Sequence, residues 1–129
     1  EGYHTTASSN YAHAEGSYAV ASGWASHAEG QNTIANHKSA HVCGEYNVAD
    51  PAETGQSQLG TYVIIVGNGT SDSKRSNAHT LDWSGNAWFA GTIEGTGIIL
   101  KSSTKGSSKR FWVTVDDAGA LSAKEITET

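Results

Sequence analysis

Three histidines recur at a spacing of fourteen residues, His13, His27 and His41. Neutral imidazole is a good ligand for zinc, copper, nickel or iron, so a column of histidines could hold a metal ion. The other reading is a solvent-facing or interface ladder without metal. Glu15 and Glu29 repeat at the same spacing. One sheet rung apart, about 4.8 Å, they have roughly the closeness of a glycosidase carboxylate pair. Exposed like charges at that distance read better as a solvated ladder. No carboxylate is expected between the histidines. The expected cofactor is therefore none, with an axial metal at the His ladder as the alternative. Cys43 stands alone, which excludes an intrachain disulfide and reads as a buried or interface thiol. No segment resembles a nucleophile elbow, and the chain is expected not to be an enzyme. Trp83, Trp88 and Trp112 are candidates for glycan stacking or trimer contact. In the adjacent pairs Trp88–Phe89 and Phe111–Trp112, alternation puts the two rings on opposite strand faces. One of each pair is expected in the core.

The elements that must position these residues follow from a heptad grid. Gly2, Ser9, Gly16, Gly23, Gly30, His37 and Gly44 form a frame of period seven. Two and four places before successive frame residues sit small or apolar pairs: Thr5/Ala7, Ala12/Ala14, Ala19/Ala21, Ser26/Ala28, Thr33/Ala35 and Ala40/Val42. A coiled coil is excluded, because glycine at each repeat opposes a helix. The i, i+2 spacing of the pairs is a strand signal. Each heptad reads as a short strand closed by a glycine turn. Equivalent repeats facing one way fit a parallel β-solenoid with two heptads per coil.

An interior of Ala, Ser and Thr buries little apolar area, so the missing burial must come from other chains. Three places before each frame residue, the outward side chains split into two columns. One is His13, His27, His41. The other is Thr6, Val20, Ile34, the candidate trimer interface. A Val/Ile column outside a thin roll predicts a homo-oligomer with cyclic symmetry.

The grid stops after residue 47, and residues 48–60 read as a connector around Asp50-Pro51 and Thr54-Gly55. Residues 61–129 read as a β-rich module. Thr61 to Val66 is its strongest strand signal. Ser84-Gly85-Asn86 and Asp116-Asp117-Ala118-Gly119 read as hairpin turns. Their surroundings align at an offset of 34 residues, Thr80–Gly85 on Thr114–Gly119. Gly91 to Leu100 should supply a further strand or two.

The units Ala12-His13-Ala14-Glu15-Gly16 and Ser26-His27-Ala28-Glu29-Gly30 resemble the head repeat of trimeric autotransporter adhesins, which also occurs in bacteriophage tail and appendage proteins. That resemblance covers residues 2–47. Gly67-Asn68-Gly69-Thr70-Ser71-Asp72 with Asp82-Trp83-Ser84-Gly85-Asn86-Ala87 is similar to a stretch of phage and prophage tail proteins. Phe111 to Asp117 resembles the terminal hairpin of tail-fibre chains. The resemblance implies a left-handed β-roll, an intertwined homotrimer, and host attachment from a virion tail. The implied partner is a bacterial cell-surface glycan or protein receptor. A bacterial trimeric surface adhesin head is one alternative, and a self-cleaving or glycan-degrading tail module is another.

Composition narrows the partners. The net charge of −5 and the lack of a Lys/Arg stripe argue against nucleic acid. No apolar run is long enough for membrane insertion. The chain has 129 residues with no Met and opens inside its repeat, so a piece of a longer protein is expected.

Overall fold

Alternate small residues of the grid turn inward, and the backbone coils around them. The computed structural model describes residues 1–127, which are all-β with no helix among them. The last two residues of the segment expected as a 61–129 module lie outside the described residues. Two units are distinguished, Glu1–Thr92 and a second from Ile93 onward.

The first unit begins with β1 (Gly2–Tyr3), β2 (Thr6–Ala7), β3 (His13–Ser17), β4 (Val20–Ala21), β5 (His27–Gln31), β6 (Ile34–Ala35) and β7 (His41–Glu45). The odd-numbered strands pair in parallel on one face, and β2, β4 and β6 pair in parallel on the other. Partners are fourteen residues apart, as in His13↔His27↔His41 and Thr6↔Val20↔Ile34. The result is a β-solenoid of about three turns. Its core is Ala14, Ala19, Ala21, Ala28, Ala35 and Val42, extended by Ile65. Ser26 and Thr33 are buried in the same rows.

The turns differ from expectation. Gly16, Gly30 and Gly44 lie inside β3, β5 and β7. A Cβ on Gly16 would strike the carbonyl oxygen of Gly30, and one on Gly30 that of Gly44. The glycine column therefore permits close approach of successive coils. The corners fall two residues later, at His4, Tyr11, Tyr18, Ala25, Asn32, Ser39 and Tyr46, all with φ between 40° and 60°. Left-handed backbone costs a non-glycine residue energy. The inter-coil ladder offsets it: the Tyr18, Asn32 and Tyr46 amides donate to the carbonyls of Tyr3, Ser17 and Gln31 at 2.8–3.0 Å.

Asn47 and the connector that follows it close the edge of the second face. The Asn47 side chain accepts from the Ile34 amide at 2.8 Å and donates to the Ile34 carbonyl at 3.1 Å, substituting for a further strand beside β6. In turn the Asn36 side chain donates to the Asp50 carbonyl at 2.9 Å and accepts from the Asp50 amide at 3.2 Å. Then β8 (Tyr62–Asn68) adds to β7 in parallel, with β9 (Asn77–Asp82) and β10 (Ala87–Phe89) following antiparallel.

The second unit contains β11 (Ile98–Lys101), β12 (Arg110–Val115) and β13 (Leu121–Glu125) as an antiparallel sheet. The β9–β10 and β12–β13 turns share their backbone-amide bonds at the offset of 34. Asp82 accepts from Ser84 and Asn86 amides, and Asp116 from Ala118 and Ala120 amides, at 2.8–2.9 Å. Gly85 and Gly119 take the left-handed conformation, at φ of 86° and 81°.

Candidate functional site

Residues two apart on a strand share a face. His13 and Glu15 on β3, His27 and Glu29 on β5, and His41 on β7 therefore form one outward cluster. This corrects the expectation that no carboxylate lies between the histidines. His27 Nε2 is 3.6 Å from Glu15 Oε1 and 3.9 Å from Glu29 Oε2, and His41 Nε2 is 3.6 Å from Glu29 Oε1. Each carboxylate is interleaved with imidazoles of successive coils. The His27 and His41 rings stack at 4.6 Å, while His13 meets His27 edge-on at 4.8 Å. His27 Nε2 is shut off from solvent yet has no hydrogen-bond partner. Cys43 occupies the same column one coil on from Glu29. Burial, and then the Glu29 carboxylate, push its thiol above the ordinary range.

On the opposite face, Val20 and Ile34 are half-buried and Thr6 is exposed, so the column is open along its outer side. His37, read from sequence only as a lapsed glycine, is buried. Its Nε2 lies 3.0 Å from the Thr54 carbonyl. Gly60 packs against its ring, where a Cβ would come within 2.7 Å of Cγ. His37 thus fastens the connector to the solenoid. Its place in the glycine frame was the available signal.

The expectation for Trp88–Phe89 is not met: Trp88 is 53% and Phe89 46% exposed. The reason is topological. Strand β10 is the last strand of its sheet and is exposed along its length. Phe89 stacks on His79 at 4.3 Å instead. Trp88 lines an open pocket of about 660 Å³ with Tyr62, Arg75, Asn77, Asp82 and Asn86. Arg75 is held by the Asn32 and Asn47 carbonyls at 2.8 and 3.1 Å and by Asp72 at 2.6 Å. Asp82 accepts the Asn86 side-chain amide at 2.9 Å. This bond first, and then the turn amides, keep its carboxyl below the usual range. A wall of aromatic faces beside fixed amide, guanidinium and carboxylate groups can hold a ring bearing hydroxyls. Trp83 is exposed at the neighbouring turn and is not part of this pocket.

In the second unit, strand register sorts the side chains into two faces. Ile98, Leu100, Phe111, Val113, Val115 and Leu121 share one, and Trp112 lies on the other with Thr114, Ser122 and Lys124. None of the described residues of this unit is buried. Phe111 is half-buried and Trp112 is exposed. The core expected to receive one of them does not exist within the unit.

No protein-family model, curated protein or solved structure matches the chain. Among the described residues, no helix is long and apolar enough to cross a membrane.

Proposed function

We propose that this chain is a structural and host-attachment part of a phage or prophage tail fibre, working as an intertwined homotrimer without catalysis. The observation that carries this reading is the uncovered apolar face of the β11–β13 sheet. The second unit covers residues 93–129, below the roughly 40 residues at which a fold usually needs disulfides, metal or oligomerisation. Cys43, the sole cysteine, supplies no internal disulfide. Each large apolar side chain on that face gains roughly 1.5–3 kcal/mol if covered. Three copies closing around an axis cover three such faces at once. The Ala-rich solenoid and its open Val20/Ile34 column favour the same assembly. The resemblance of residues 2–47 to adhesin head repeats, followed by tail-like sequence, supports a left-handed roll, a trimer and a virion location. A bacterial surface adhesin head would use the same assembly.

The proposed ligand is a bacterial surface glycan, stacked on Trp88 in the pocket of the first unit. Three weak sites on one rod gain avidity through effective concentration. Purified envelope polysaccharide on a biosensor surface tests this. The Trp88→Ala variant is expected to lose about 1–3 kcal/mol of binding per site, roughly 5- to 150-fold in affinity. Unchanged binding would remove Trp88 from the ligand site.

A further inference from the structure

The cluster on the outward face of β3, β5 and β7 has a feature that neither the fold nor attachment requires. Its nitrogen–oxygen distances of 3.6, 3.6 and 3.9 Å are too long for hydrogen bonds. The two at 3.6 Å suit pairs of ligands on one cation. Zinc at roughly 2.0–2.2 Å from each ligand in tetrahedral geometry places neighbouring donor atoms about 3.3–3.6 Å apart. Two groups gather donors close to that spacing, His13/Glu15/His27 and His27/Glu29/His41, with donor atoms within 4.8 Å of one another in each. His27 belongs to both. Its Nε2 is also the donor atom that is shut off from solvent without a partner. An unsatisfied buried nitrogen is costly unless something bonds it.

We propose that the His–Glu ladder is a transition-metal site that binds one Zn²⁺ per chain through His27 Nε2, a flanking glutamate and a second histidine. Because one nitrogen serves one ion, the two overlapping groups hold a single ion between them. Mixed imidazole and carboxylate ligation selects zinc, and copper or nickel where available, over Mg²⁺ or Ca²⁺, which prefer all-oxygen shells. The ligands come from successive coils. The bound ion therefore pins neighbouring rungs of a solenoid whose core is mostly alanine. All the ligands come from one chain, so the site does not need the proposed trimer to be complete.

The test uses the untagged full chain, stripped with chelator. Zinc chloride is titrated by calorimetry, with magnesium chloride as the control cation, and imidazole ¹⁵N shifts are recorded in parallel. The expected result is saturation at one Zn²⁺ per chain, a raised melting temperature and a shift of the His27 Nε2 resonance. His27→Asn should weaken binding at least tenfold, since removing even an outer-shell partner commonly costs about 10–100-fold. His4→Asn should leave binding intact. The proposal is overturned by absence of saturable zinc binding, by equal affinity in His27→Asn, or by a His27 resonance indifferent to zinc. Those last outcomes would make the ladder an imidazole–carboxylate ion-pair array. Circular dichroism of His27→Asn separates lost ligation from lost fold, and His41→Asn with His13→Asn provides a second route if it unfolds.

Discussion

His27 meets two glutamates because strand alternation and coil register act together. Alternation places Glu15 beside His13 and Glu29 beside His27, and the fourteen-residue register stacks the two rows. The histidine column was legible from spacing alone. Its contact with the glutamates was missed because the columns were read along the solenoid axis, not also along each strand. Cys43 ends the glutamate row, and its raised thiol pKa follows from burial first and Glu29 second. A raised pKa leaves the thiol protonated at neutral pH and therefore slow to react. Alkylation of the metal-free native chain is expected to run several-fold slower than that of the denatured chain near pH 8. Its rate should climb only as pH rises through the elevated pKa. Glu29→Gln removes one source of the shift and should speed the native reaction, as followed by mass spectrometry. Equal native and denatured rates would contradict this assignment.

At the scale of the element, glycine and corner have exchanged the places that composition suggests. The heptad period, the inward pairs and the solenoid were readable because small residues repeat strictly at i and i+2. The corners were not readable, since Tyr18, Ala25 and Ser39 carry no left-handed preference of their own. The inter-coil backbone ladder holds them there. Nor did Asn36 and Asn47 announce that their side chains would close the edge of β6. Opposite mutational effects follow. Ala25 sits at φ of 53°. Ala25→Gly relieves about 1–2 kcal/mol of left-handed strain and costs roughly 0.5–1 kcal/mol in backbone entropy. A net gain of about 0.5–1 kcal/mol is expected in denaturant unfolding. Gly30→Ala drives a Cβ into the Gly44 carbonyl at φ of 103°. It should cost about 3 kcal/mol or more. The reverse order would return the turns to the glycines.

For the whole molecule, the apolar residues are in the wrong place for an isolated chain. Small side chains fill the solenoid, while Ile98, Leu100, Val115 and Leu121 lie exposed on one face of a sheet with no buried residue. The β-strand pattern of this region was legible, but the lack of an internal core was not, because alternation reports two faces without saying what covers either. On the proposed trimer, partner copies would cover the bare β11–β13 face and the open Val20/Ile34 column of the solenoid. Sedimentation equilibrium of the untagged chain at micromolar concentration measures this directly. The account predicts a single species at three times the chain mass of 13.5 kDa, dissociating in the Leu100→Asp variant. A folded monomer with the β11–β13 strands protected from amide exchange would contradict it.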